Sequence, residues 1–361
     1  MNDKNIILSD KTKLKWFEKD YRNYLNKTTI IYGRTNSGKS TIIEEIMHLC
    51  KDYVPNVFVV APTNSSNNAY TNKIPDHCIK KTLDVDWLEK LLNRQKNSSG
   101  VYINSNKIEM LKPLFNKISN TTLENIENSI IKKAFESIEF INKSDMKFIH
   151  KKRQKVEILK QRDNMLRKLY KNCIRNNKVK LENNKDISKT ERGILSFLDF
   201  NPNIMLILDD CASKFKKLYK QSTAIKEIFY EGRHYFFTTI ISSQDDKEID
   251  SELRKNTSVS IFTTSQAATS NFERSSNGYP KHEKLRAKMC INATFSQDEN
   301  SPTHFQKLVY LQGSGDPFNY TIANVYDDFR MCSDHVWDYS NKIKERTDKK
   351  NERNPLFDNY M

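Results

Sequence analysis

The sequence predicts an α/β chain, with a mostly parallel central sheet flanked by helices and a basic helical insertion. Three observations predict it. The β-branched, apolar run TTIIYG (28–33) passes through a glycine-containing loop into KSTIIEEIMHL (39–49), whose apolar residues recur at helical spacing. Two later apolar runs, NIMLILDD (203–210) and YFFTTIISSQD (235–245), end in polar residues, as buried parallel strands do when they reach the edge of a sheet. Helical patterns separate these runs, and strands alternating with helices are the mark of a parallel sheet.

Taken in order, residues 10–26 read as a short polar helix, so 1–27 is expected to be an N-terminal helical segment. The first part of the core is expected over 28–104. After the loop and its helix comes the strand NVFVVAPT (56–63), ended by Pro62. A polar connection (64–82) follows, then the helical pattern DVDWLEKLLNRQ (84–95) and a short strand, VYIN (101–104). Residues 105–195 read as an insertion of successive helices rich in Asn, Lys and Glu. Within it, Ile149, Val156, Leu159, Leu166, Tyr170 and Cys173 recur at spacings of 3, 4 or 7, which predicts one amphipathic helix with a narrow apolar stripe. The second part of the core is expected over 196–340. It holds the strand 203–210, a helix across 214–230, strands at 235–245 and 258–264, and a hairpin of 304–312 with 318–326 around Gly313 and Gly315. Residues 341–361 are charged and read as a frayed tail.

Composition narrows the partners. The 361 residues carry a net charge of +15, and 147–180 alone holds 13 Lys/Arg against 2 Asp/Glu. A localised basic helix suits a nucleic-acid backbone; packing its stripe on the core, or on a second subunit, is the alternative. The six cysteines form no C-x-x-C pair and no zinc spacing, so thiols in a reducing compartment are expected. No apolar run approaches the ~18 residues of a membrane span, and no signal peptide is evident, so a soluble intracellular protein is expected.

The chemistry starts at 33–40. GRTNSGKS matches the phosphate-loop pattern G-x-x-x-x-G-K-[ST]. Gly33 and Gly38 allow backbone dihedrals closed to other residues, so the N–H groups of Arg34, Thr35, Asn36, Ser37 and their neighbours through Thr41 turn into one concavity that holds phosphates. Lys39 brings positive charge to the β- and γ-phosphates of a nucleotide such as ATP, and the Ser40 hydroxyl is a ligand for Mg²⁺. LILDD (206–210) delivers carboxylates to the sheet edge where ligands bind. Asp209 is placed to hold Mg²⁺ through water, and Asp210 to polarise the attacking water. Gln244, at the end of the next strand, is a candidate sensor of that water or the γ-phosphate. Arg233 lies eleven residues earlier, near the opposite end of the same strand. It is better placed to enter a neighbouring subunit's site as an arginine finger. Arg254, in SELRKNTS, competes for that role.

One strand between the phosphate loop and LILDD resembles the order of the additional-strand class of P-loop NTPases. That class usually has Asp-Glu at the strand end; here Asp210, one methylene shorter, takes the second place. The set GRTNSGKS, LILDDC and GRHYFFTTIISSQ resembles the FtsK–HerA superfamily. Within it the chain is most similar to the poxvirus-type DNA-packaging ATPases of large nucleocytoplasmic DNA viruses. VFVVAPT, ELRKNTS and FRMCSDHVWDYSNK (329–342) strengthen the likeness, which covers about 28–95 and 200–340. The resemblance implies a homo-oligomeric ring, fuelled by ATP and Mg²⁺, that moves double-stranded DNA into a capsid with capsid or portal partners. It would act in the host cytoplasm at a viral factory, or with the virion. It also assigns Lys39, Ser40, Asp209, Asp210, Gln244 and Arg233 the roles above. Another nucleic-acid motor, of helicase or recombination type, is the second reading. A nucleotide-switched structural protein is the third, kept open by Asp210.

Overall fold

The computed structural model describes residues 6–62, 69–211, 218, 222–295 and 305–352, the side chains of 347–352 excepted. The chain divides into two compact units, 1–96 with 202–361, and 97–201.

Among the described residues the first unit is built on ten strands. They are β1 (Ile6–Ile7), β2 (Lys13–Trp16), β3 (Thr28–Tyr32), β4 (Asn56–Val60), β5 (Ile79–Lys80), β6 (Ile204–Leu208), β7 (Phe237–Ser243), β8 (Val259–Phe262), β9 (Gln306–Leu311) and β10 (Phe318–Ile322). Their order across the sheet is β1-β2-β10-β9-β8-β3-β7-β6-β4-β5. The run from β8 to β5 is parallel, and β9–β10 is the expected antiparallel hairpin. Every residue of β3, β6, β7 and β8 is buried, as a sheet covered on both faces requires. Alternation along the strands divides the core. Ile31, Met205, Ile207, Ile240, Ile261 and Val309 meet Ile42, Ile43, Ile46 and Met47 of α1 (Lys39–Cys50) on one face. Ile30, Leu206, Leu208, Ile241, Phe262 and Leu308 belong to the other cluster, with helical residues Leu88, Ile228, Phe272 and Ile291. The acid-tipped β6 does not touch β3; β7 lies between them in the sheet, whereas the strand that intervenes in the sequence, 56–63, is β4 on the far side of β6.

Several expectations are corrected. Residues 1–27 are not helical where described. Ile6–Ile7 and Lys13–Trp16 are strands, and one 3-10 turn covers Tyr21–Asn23. Lys13, Leu14, Lys15 and Trp16 alternate polar and apolar, and the strand is set by pairing with β10, Lys15 opposite Asn319. VYIN (101–104) is the end of helix α2 (Val85–Ser105), because so short an apolar run suits either structure. The tail begins later than expected, since a helix runs from Asp334 to Glu352; residues 353–361 lie outside the described residues. Of the helix expected over 214–230, Thr223–Glu231 is helical, while 212–217 and 219–221 are outside the described residues.

The second unit is helical, with α3 (Ile108–Asn116), α4 (Thr121–Lys143), α5 (Phe148–Asn176), α6 (Lys178–Glu182) and α7 (Lys189–Ser196). Asn120 caps α4, and a Ser188–Glu191 capping box starts α7, each satisfying backbone N–H groups that a helix start leaves open. Its core joins Leu111, Leu114 and Phe115 to Leu166, Tyr170 and Ile174. The predicted stripe of α5 is therefore buried only in its C-terminal half: Ile149, Val156 and Leu159 are exposed. All six cysteines are thiols. Among the described residues no helix is long and apolar enough to cross a membrane.

Candidate functional site

The 33–40 loop joins β3 to α1 at the edge where β6 and β7 also end. Gly33 N–H donates to the Ser243 carbonyl at 3.1 Å, so the loop leaves the sheet level with the end of β7. Gly38 caps α1 at φ +87°, and Asn36 stands at φ +60°, a left-handed conformation that asparagine tolerates better than most residues. Gly33 is required for space. A Cβ there would lie 1.7 Å from Thr263 Oγ1 and 2.6 Å from Ser37 Oγ. Thr263 cannot retreat, because its N–H (2.9 Å) and Oγ1 (3.1 Å) both donate to the Tyr32 carbonyl. Gly33→Ala is expected to destabilise the protein by about 1–3 kcal/mol, the cost of overpacking, and to lower the melting temperature by several degrees. An unchanged melting temperature would show that the loop gives way there.

Thr35, Asn36, Gly38, Lys39, Ser40, Thr41, Asp209 and Asp210 line a cleft of about 410 Å³, within the ~300–1,000 Å³ of small-molecule sites. Of the remaining expected loop residues, Arg34 is exposed, and Ser37 turns toward β8, its Oγ 2.6 Å from Thr263 Oγ1. Lys39 Nζ donates to the carbonyls of Gly33 (2.7 Å) and Arg34 (3.0 Å), which folds the ammonium back across the loop. Burial pushes this lysine below its ordinary range, against the pull of Asp210, Asp209 and Glu248.

Asp209 is buried at the end of β6. Tyr70 Oη donates to its Oδ2 at 2.8 Å, and Ser242 Oγ donates to its Oδ1. Burial, and then the Asp209 charge, hold the Tyr70 hydroxyl well above its ordinary range, so it remains a donor. Asp210 turns out of the sheet at φ +53° and is exposed; its N–H donates to Ser242 Oγ at 3.0 Å. Gln244 Nε2 is 3.4 Å from Asp210 Oδ1, so the expected sensor and the second acid meet. Glu248 accepts from Ser243 Oγ (2.7 Å) and the Gln244 N–H (3.3 Å).

The fit to a magnesium nucleotide rests on these donors. The loop lines the cleft from Thr35 to Thr41, with Gly38 and Lys39 within it. Ser40 and Asp209 face one cleft with a hydroxyl and a carboxylate, the hard oxygens that Mg²⁺ takes. A carboxylate offers about four lone-pair positions, so Asp209 keeps capacity beyond Tyr70 and Ser242.

Arg233 is not brought to this cleft. It sits exposed in a 3-10 turn (Gly232–Tyr235) before β7, with Nε 3.2 Å from His234 Nε2. Seven strand residues, about 3.3 Å each, separate that turn from Gln244. Arg254 is engaged within its own chain. Nε donates to Asn277 Oδ1 (2.8 Å), Nη1 to the carbonyls of Asp246 and Ile249 (2.6 Å for Ile249), and Nη2 to Ser276 Oγ (3.2 Å). Tyr70, Ser242, Glu248 and Thr263 escape a reading of the sequence. Ser242 carries the nearest thing to a signal, two positions before Gln244; Tyr70 lies in a polar connection with no pattern at all.

No protein-family model matches the chain. Solved structures similar to it include the pCW3 conjugation coupling protein TcpA with ATPγS, at 12% identity, covering 95% of this chain and 71% of that one, with a TM-score of 0.41. Another is the genome packaging NTPase B204 of Sulfolobus turreted icosahedral virus 2 with ATPγS, at 12% identity, covering 85% and 100%, with a TM-score of 0.34. The uncharacterized protein B354L of African swine fever virus (isolate Pig/Kenya) is 30% identical over 302 residues, covering 80% of this chain and 79% of that one. The Warthog/Namibia isolate's B354L gives the same figures. The chain belongs to the family of the African swine fever virus B354L proteins.

Proposed function

We propose that the protein is an ATP-hydrolysing, ring-forming motor of the FtsK–HerA superfamily, poxvirus type, that drives double-stranded viral DNA into a capsid. The observation that carries the reading is one sheet edge. It presents the phosphate loop, the Asp209–Asp210 pair and, on the strand between them, Gln244 against Asp210. The unit of 1–96 with 202–361 would form the motor core, and 97–201 the basic helical insertion. Lys39 and the loop amides would hold the phosphates, Ser40 and Asp209 the Mg²⁺, and Asp210 with Gln244 the attacking water. Mg²⁺ would neutralise charge on the phosphates. Arg233 would complete the site of an adjacent subunit; its exposure supports it over Arg254, each of whose three guanidinium nitrogens already donates within its own chain. The viral relatives support action in infected cells; the protein would work at a cytoplasmic viral factory or in the virion, with capsid or portal partners.

The test is ATPase activity with and without duplex DNA, alongside solution mass. Stimulation by DNA, and a mass several times the 42.4 kDa chain, are expected. A DNA-indifferent monomer would sink the reading, and strand displacement would favour a helicase. The exposed, left-handed Asp210 favours one alternative, a nucleotide-switched structural protein; slow hydrolysis unmoved by DNA would support it.

The basic helix α5 supplies a separate prediction. Leu166, Tyr170 and Ile174 are core, so deleting the segment would test folding rather than binding. Lys152, Arg153, Lys160 and Lys168 are exposed. Changing all four to Gln is expected to weaken duplex binding and to flatten the slope of log affinity against log salt by up to about 4. An unchanged slope would return α5 to a structural role.

A further inference from the structure

Lys307 is the second residue of β9 and is 6% exposed. It shares a sheet face with Val309, the face that α1 covers. Its Nζ donates to the Ser37 carbonyl at 3.0 Å. The same ammonium lies 3.6 Å from the point a Cβ on Gly38 would occupy. Among the described residues it forms no ion pair. Burial pushes it below the ordinary lysine range. A buried cation without a counter-ion is costly, so a protein keeps one where something is gained.

We propose that Lys307 is a positioning residue for the phosphate loop, turning the Ser37–Gly38 peptide so that its N–H serves the β-phosphate of a bound nucleotide. In a planar trans peptide the C=O and the following N–H point in opposite directions. An ammonium holding the Ser37 carbonyl behind the loop therefore aims the Gly38 N–H into the concavity. It also polarises that peptide, because hydrogen bonds in series strengthen one another where the dielectric is low. Gly38 itself stands at φ +87°, a left-handed conformation that glycine adopts without strain. Thr263, bonded to Ser37 Oγ, steadies the same stretch from β8. The loop is thus braced from two strands that carry none of the expected motor residues. The ammonium adds a second positive charge beside Lys39, and a polyphosphate is the anion that would offset both.

This inference rests on the nucleotide-binding reading, and its test separates the two. Titrations of wild type, Lys307→Met, Lys307→Gln and Lys307→Arg with ATP, ADP and AMP, each paired with a melting temperature, are the experiment. If wild type binds neither ATP nor ADP, the nucleotide reading fails first. If it binds, Lys307→Met and Lys307→Gln are expected to lose affinity for ATP and ADP by about 10-fold or more, as for a hydrogen bond to a charged group. AMP, which has no β-phosphate, is expected to be spared, and Lys307→Arg to recover most of the loss. A purely structural lysine would lower the melting temperature and weaken all three ligands alike. That pattern, or wild-type ADP affinity in either neutral variant, overturns the proposal. Should Lys307→Met fail to fold, Lys307→Gln, which keeps a donor without the charge, decides it.

Discussion

Lys39→Ala is expected to lower kcat for ATP hydrolysis by about 10²–10³-fold, the usual loss when one preorganised charge stabiliser is removed. The side chain is 9% exposed and sits among three carboxylates, Asp209, Asp210 and Glu248, that contribute to its electrostatics. Removing its charge leaves those acids facing a polyphosphate with one cation fewer. Affinity falls along with rate, because the interaction serves ground and transition states together. The fold is expected to survive: among the described residues the ammonium bonds only the carbonyls of Gly33 and Arg34, both within the loop itself. Steady-state hydrolysis and nucleotide titration, with circular dichroism as the folding control, measure this. A variant hydrolysing at the wild-type rate would mean that the phosphates lie elsewhere. Chelating Mg²⁺ is expected to stop the wild type equally, and Asp209→Asn to raise the Mg²⁺ concentration needed for half activity.

The sequence announces this part of the molecule because its information is local. Eight consecutive residues carry the loop, and the five-residue apolar run of β6 meets its acids directly. What escapes is set by partners far away in the chain. Lys13–Trp16 becomes a strand through β10, some three hundred residues on, and a four-residue alternation carries too little weight alone. Tyr70 is 139 residues from Asp209, and Lys307 is 270 from Ser37. Neither spacing follows any motif, although a lysine inside the apolar run KLVYL is an anomaly worth noticing in any buried strand. The insertion was legible as helices but not in its burial: one periodic stripe runs along α5, and only tertiary packing decides that Leu166 is covered and Ile149 is not.

Arg233→Ala is expected to produce the largest loss of all, about 10³–10⁵-fold in kcat, if its guanidinium enters the adjacent subunit's cleft. Within one chain it cannot act. The turn holding it precedes β7, and the phosphates belong at that strand's far end. In a head-to-tail ring every interface is the same heterologous contact, so each site would take its loop from one subunit and its finger from the next. Mixing subunits tests this directly. An Arg233→Ala chain keeps an intact loop, and a Lys39→Ala chain keeps an intact finger. Each ring alone is expected to be inactive. A random equal mixture places the intact loop beside the intact finger at about one interface in four, so activity should return toward about a quarter of wild type if the sites act independently. Arg254→Ala should behave differently. Its guanidinium ties Asp246, Ile249, Ser276 and Asn277 together. Its loss should appear as a lower melting temperature, with no recovery on mixing. A mixture of Arg233→Ala and Lys39→Ala subunits no more active than its two components would remove Arg233 from the site and leave the source of the transition-state charge to another residue.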